Sequence, residues 1–495
     1  MGVLTYGNDL EADWVVQKYG GTSIGKYAVH IAKNIIRETL AQHRVAVVCS
    51  AWSTTSKAAG TTTRRKFRLI EIFNTLEAGR VRGARPTDNL ATLQNSLRVI
   101  IYEHIRATAP SLPSKESRDM LAEKLKLEGQ YTVSAVAETL FSSDYDYGWA
   151  QDLVISLGEK LSCLSMVAIL QDLNVEAEYV DLSTILPQSS SATTADELYA
   201  ELAFVIASRL LACGSPVPVI TGFFGLNRGG MLASEIGRGY TDLCAALCAI
   251  GLGAAELQIW KEVDGILTAD PSRVPSAQLI PHMSFPEVAA LTQQGSEVVH
   301  ALAIRQIMAA APTGMALCIK NVKHPSAAGT MVVRAAVDKA ESSTDSDTDC
   351  ASLKSCLTFC RAITVKSDVC FLHAPRKTWS CFGRTASTRK GPTVEITATT
   401  NTSRKSPTFF LSCAKSLLLG RGKSAHAQSA SVITLVCTRA EGCRRLASQV
   451  LADLRNESIQ STLLPHADDY GSISCVVPSP DTLRAMTLLH DRFCL

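Results

Sequence analysis

The sequence carries almost no net charge: 49 Lys and Arg residues against 46 Asp and Glu leave +3. Without a basic surplus, neither nucleic acid nor an anionic membrane is expected as a partner. The first residues, MGVLTYGNDLEADW, are acidic and lack the basic, apolar pattern of a secretory leader. No uninterrupted apolar run reaches the ~18 residues that cross a bilayer; the longest, Cys244 to Ile259, is broken by Glu256. A cytoplasmic protein is the expectation. No two of the 16 cysteines stand in C-x-x-C spacing. The pairs Cys244/Cys248 and Cys356/Cys360 have neither a second pair nor a histidine at ligand distance, so reduced buried thiols are expected and no metal ligands are assigned. The P-loop spacing G-x-x-x-x-G-K-[ST] is missing too. Gly420 to Ser424 imitates its second half, but Leu417 shows that the first half is absent.

What is present is material for large cores. Hydrophobic residues make up 46 % and charged residues 19 % of 495, which fits two to four globular domains. Residues 14–50 read strand, glycine turn, helix, strand, with Val45 to Cys49 apolar throughout, as in a parallel sheet covered on both faces. This β-α-β order implies a doubly wound α/β domain. Ser50 to Ser56 follow the C-terminal end of a strand, where ligands gather in such sheets. Residues 61–130 are helical and charge-rich, an added layer without evident chemistry. A solvated loop is expected at Asp144 to Tyr147.

Two stretches concentrate polar chemistry. Residues 235–271 open with a Gly-Arg-Gly turn, where glycines permit close approach and Arg238 offers a fork for a carboxylate or phosphate. Thr241 and Asp242 then stand where a helix N-cap belongs. A strand from Leu257 to Trp260 leads into Lys261-Glu262-Val263-Asp264-Gly265. At the N-terminus, a strand ending in Lys18 meets Gly20-Gly21-Thr22-Ser23. That turn offers backbone amides, a mobile cation and a helix start to a phosphate. In the helix near Gln151 to Leu170, Glu159 is a carboxylate in apolar surroundings, costly to bury unless a cation pairs with it.

In this order QKYGGTS, CSAWSTTSK, SLGEKLSC, GRGYTDLCAAL and KEVDGILTADP resemble aspartokinase of the fungal type, within the amino-acid-kinase family, over residues 14–335 and in part over 361–495. The resemblance implies a three-layer αβα fold with a mainly parallel sheet, carrying a helical insertion at 61–130. Residues 336–357, low in apolar content and rich in Ser, Thr and Asp, read as a flexible linker at a domain boundary; beyond it the resemblance implies a degenerate first ACT repeat at 358–430 and a second, ferredoxin-like ACT repeat at 431–495. It further implies ATP and Mg²⁺ as cofactors and L-aspartate as acceptor. An amino-acid effector at the ACT region and a homo-oligomer are implied as well. Lys18 and Lys261 would neutralise the transferring phosphoryl group. Gly20, Gly21, Thr22, Ser23, Thr221, Thr241, Lys261, Asp264, Gly265 and Asp270 would line the nucleotide. Arg238 would take the acceptor's α-carboxylate, Glu159 its ammonium, with Ser56 assisting. Two roles for Asp242 fit, beside the metal or ordering Lys18. His300, followed by Ala301 where the family has proline, reads as packing or capping. The alternatives are a paralogue serving a specialised fungal metabolite, a non-catalytic amino-acid-binding regulator, and a kinase of glutamate or carbamate.

Overall fold

The computed structural model describes residues 5–53, 65–83, 85–140, 142, 146–186, 194–225, 239–293, 298–310, 314–334, 360–373, 395–399, 408–412, 426–437, 440–464 and 471–494. They fall into two units, Met1–Gly265 with Val299–Arg334, and Ile266–Val298 with Ala335–Leu495. Residues 266–298, inside the 14–335 segment as read from sequence, thus group with the C-terminal part.

The first unit is built on a sheet. β1 (Trp14–Tyr19) and β2 (Arg44–Cys49) are buried on both faces, as strands between helical layers must be, and are mostly apolar apart from Gln17 and Lys18 in β1 and Arg44 at the start of β2. The crossover between them runs through α1 (Gly21–Ile31), a π-helical turn at Ala32–Ile36 and α2 (Arg37–Thr39), and makes the two strands parallel. Next comes a helical layer, α3 (Arg65–Val81), α4 (Pro86–Thr108), α5 (Lys115–Leu140) and α6 (Tyr147–Asp172). Pro86 opens α4 where its missing N–H costs nothing, and the Asp146 side chain caps α6 by accepting the Trp149 N–H at 2.9 Å. By length and hydropathy α6 could cross a bilayer, yet 94 % of its apolar window is buried inside the protein. β3 (Ala177–Leu182), α7 (Ala195–Leu211), β4 (Val217–Phe224), α8 (Tyr240–Gly251) and β5 (Glu256–Lys261) follow. After β6 (His282–Ser284) and α9 (Phe285–Gln293), which belong to the second unit, α10 (Ala301–Ala309), β7 (Ala316–Asn321) and β8 (Thr330–Val333) complete the first. Its strands lie in the order β3-β4-β2-β1-β5-β7-β8, parallel except for β8.

Alternation along the strands sorts the side chains. Tyr19, Val45, Val47, Cys49, Val217 and Val219 join the cluster formed with α1 and the helical layer. Lys18, between Gln17 and Tyr19, points to the other face, where α8 packs on β1 and β4.

The second unit carries an antiparallel sheet. Its strands are β9 (Cys360–His373), β10 (Glu395–Thr399), β11 (Thr408–Ser412), β12 (His426–Cys437), β13 (Thr462–Leu463) and β14 (Ser472–Pro478), with α11 (Ala440–Asn456) and α12 (Thr482–Phe493). They are ordered β10-β11-β9-β12-β14-β13. Ile363, Ile433, Leu435, Val450, Ile473, Leu489 and Phe493 form the core, which also takes in Ala269 and Val274. The Thr268 carbonyl accepts the Ile363 N–H at 2.7 Å, and its hydroxyl lies 2.8 Å from Nε2 of fully buried His490. Such a sheet with two helices is consistent with ACT-like modules. The 358–430 segment, expected as a degenerate first ACT repeat, contains β9, β10, β11 and the start of β12.

Candidate active site

Three strand ends and two helix starts bring the polar residues together. Lys18 of β1 is opposite Ile259 of β5, so Lys261, two residues further, emerges on the same face. Lys18 meets Asp242 in the first turn of α8, and the Lys261 charge acts on the same carboxylate. The Lys18 Nζ forms an ion pair with Asp242 Oδ1 at 2.7 Å, and the His300 amide donates to Oδ2 at 3.1 Å. Lys18 and Asp242 are both buried. Burial pushes the Asp242 carboxyl up, but the Lys18 and Lys261 charges, with the Lys18 and His300 hydrogen bonds, more than offset this and hold it below the usual carboxylate range.

The turn before α8 corrects one sequence expectation. The N-cap is Gly239, in the left-handed region at φ 94°, and Thr241 and Asp242 lie inside the helix. A Cβ at Gly239 would also come within 2.7 Å of the His300 ring. His300 itself stands at the N-cap position of α10, without a side-chain cap hydrogen bond. The shift by two residues turns the Asp242 carboxylate towards the lysines and leaves Thr241 accepting the Ser50 hydroxyl at 2.9 Å.

The glycine turn after β1 is the second wall. Gly20 is the N-cap of α1 without any side-chain cap, and nothing stands within 4 Å of where its Cβ would be. Gly21 is the opposite case: a Cβ there would sit 1.9 Å from the Ala51 carbonyl oxygen, while the Gly21 carbonyl accepts the Ser53 N–H at 3.0 Å. The Thr22 and Ser53 hydroxyls are 2.9 Å apart, Ser23 is buried, and Lys26 pairs with Glu262 at 3.2 Å.

Glu159 supplies the third wall. It is 2 % exposed, on α6, and its Oε1 accepts the Tyr240 hydroxyl at 2.9 Å. Burial, then the Glu159 charge, push the Tyr240 phenol well above its ordinary value, so it stays a donor.

Other candidates serve elsewhere. Thr221 accepts the Leu182 N–H and donates to the Phe223 carbonyl, both at 2.9 Å, which spends its hydroxyl on β3 and β4. Asp264 accepts from Asn321 at 2.7 Å and lies 3.2 Å from the His324 ring nitrogen; these hydrogen bonds, Asn321's first, lower its carboxyl. Gly265 follows at φ 151°. Asp270 belongs to the second unit, where its carboxylate accepts the Ser272 N–H at 2.9 Å and hydroxyl at 2.7 Å. Arg238 and Ser56 lie outside the described residues, as do Asp144, Tyr145 and the 336–357 linker. Among the described residues no group of three His, Cys, Asp or Glu side chains is placed to hold a metal.

The profile of the amino acid kinase family matches residues 13–321. Aspartate kinase FUB3 of Gibberella moniliformis is 35 % identical, over 97 % of this chain and 97 % of its own length. The aspartokinase of Saccharomyces cerevisiae is 33 % identical over 97 % and 93 % of the two chains. The chain belongs to the aspartokinases. It is therefore an ATP-dependent kinase. Among solved structures, Escherichia coli aspartokinase III in complex with lysine and aspartate aligns over 97 % of this chain and 99 % of that one, with a TM-score of 0.67 and 22 % identity. At that identity the likeness speaks for the aspartokinase fold. Sequence reading passed over two residues of this candidate site, Tyr240 beside Glu159 and Ser53 beside Thr22. The aromatic directly after the Gly-Arg-Gly turn was the available signal for Tyr240; Ser53 had none beyond its loop.

Proposed function

We propose that the enzyme transfers the γ-phosphoryl group of ATP to the β-carboxylate of L-aspartate, giving 4-phospho-L-aspartate. The observation that carries this is the convergence of Lys18 and Lys261 on Asp242, beside the buried Glu159. A carboxylate acceptor is already nucleophilic, so the protein's work is to align it and neutralise charge on the transferring group. Lys18 and Lys261 supply that neutralisation, and Asp242 orders Lys18 rather than acting as a base. The open edge at Gly20 and the amides of the α1 start suit phosphate oxygens. Thr22 and Ser23 flank them. Glu159, with Tyr240, suits the acceptor's ammonium, and Arg238 its α-carboxylate. The Asp242 carboxylate is held by the Lys18 ion pair and the His300 amide. This donor set fits a Mg²⁺ held by nucleotide phosphates and water, where it would supply charge neutralisation.

The same reading places the product on the route to homoserine, threonine, methionine and isoleucine. It also gives the second unit an amino-acid effector and a role in pairing chains. Purified protein with ATP, Mg²⁺, aspartate and hydroxylamine should form aspartyl hydroxamate, and Lys18→Met should lower the rate by about a hundredfold or more. No product above the Lys18→Met background would remove the proposal. Adding threonine or lysine to the same assay tests the effector.

A further inference from the structure

Next to Glu159 on α6 stands a second buried charge. Lys160 is 2 % exposed, and its ammonium forms ion pairs with Glu128 of α5 at 3.0 Å and with Asp181 of β3 at 2.9 Å. The Tyr131 ring of α5 lies 5.6 Å from the same nitrogen. Asp181 is itself fixed, accepting the Ser183 N–H at 2.8 Å. Two elements on different sides of α6 are therefore held through one side chain. A buried ammonium costs several kcal/mol to desolvate unless fully paired, and here burial is outweighed by two carboxylates that raise its proton affinity. Core packing alone does not require such an arrangement, because an apolar residue would fill the space at lower cost.

Adjacent residues on a helix project about 100° apart, so any roll of α6 that frees Lys160 also moves Glu159. Glu159 meets Tyr240 of α8, while Ser162, one turn on, accepts the Trp52 N–H at 2.8 Å in the loop that packs on Gly21. Burial and neighbouring Cys49 raise the Cys163 thiol, and Glu159 and Asp181 both add to it, so the clamp and Glu159 share one electrostatic neighbourhood.

We propose that Lys160 is a positioning residue for the acceptor: by holding Glu128 and Asp181 it sets the roll of α6 that presents Glu159 to the acceptor's ammonium. The α5 helix, part of a layer without chemistry of its own, thereby contributes to acceptor affinity. This rests on the reading of aspartate as acceptor. Lys160→Met, Lys160→Arg and Glu128→Gln in the full chain, assayed for hydroxamate with each substrate varied, test it. Lys160→Met should raise KM for aspartate about tenfold with KM for ATP changed less than about twofold, and Lys160→Arg should recover most of the loss. Glu128→Gln, which keeps one carboxylate on Lys160, should raise KM for aspartate about threefold, and it decides the matter if Lys160→Met does not fold. Active variants with both KM values unchanged and only kcat or melting temperature reduced would show a purely structural lysine and overturn the proposal. A wild type inactive with aspartate would instead remove the acceptor assignment, and this inference with it.

Discussion

Asp242 shows how much one carboxylate can be asked to do. Its folded value is depressed below that of an ordinary carboxylate, so the unfolded chain binds more protons in acid. The stability it contributes is complete above the ordinary value of about 3.9 and is lost as pH falls through the lower, folded value. Asp242→Asn should cost about 3 kcal/mol at neutral pH, because it leaves Lys18 buried without its partner. Melting curves of both proteins, followed from about pH 7 into acid, should keep a constant gap down to about pH 4 and approach one another only below it; a gap that closes already above about pH 5 would mean that the ion pair is not the source. At this scale the sequence was informative where chemistry and burial coincide. Lys18 could be named because a lysine beside a Gly-Gly turn suits a phosphate, whereas Glu159 and Lys261 owed their roles to the family resemblance. It was less informative for hydroxyls and turn carboxylates. Thr221 and Asp264 satisfy local partners that no spacing rule reveals, Leu182 and Asn321 among them.

Elements place these residues by close approach. The start of α1 touches the loop after β2 so tightly that only hydrogen fits at Gly21. Gly21→Ala should therefore push α1 and residues 51–53 apart, costing about 1–3 kcal/mol and most of the activity. Calorimetry with a parallel hydroxamate assay checks this, and a variant with native melting and native rate would contradict it. Strand and helix positions were legible from periodicity: the β-α-β opening, α6, α8 and β5 were all anticipated within a few residues. The N-cap of α8 was not, since Thr and Asp are the usual caps and a glycine in the left-handed region competes with them only through its packing on His300. β10 and β11 were missed because EITAT and TFFLS are short and sit among basic, Ser/Thr-rich residues, which weakens the period-two signal.

For the molecule as a whole, units and linear segments do not coincide. Residues 266–298 lie before β7 in the chain, yet their Ala269 and Val274 are buried in the core formed by β9, β12, β14, α11 and α12. A chain ending at Arg334 would keep these residues and lose their cover, together with the His490 contact to Thr268. Such a truncation should give lower soluble yield and added dye-binding surface compared with the full chain, by size-exclusion chromatography and fluorescence. A monodisperse fragment with a native melt would argue against it. Sequence reading put the boundary at a polar linker because composition marks a break in the chain, whereas a core assembled from two distant stretches leaves no compositional trace. That discontinuity bears on inheritance: one gene fusion or one breakpoint cannot add or delete the second unit cleanly, because part of it is encoded upstream of β7. The lineage of the tail should therefore follow that of the kinase portion, and homologues lacking the tail should also have altered the stretch equivalent to 266–298.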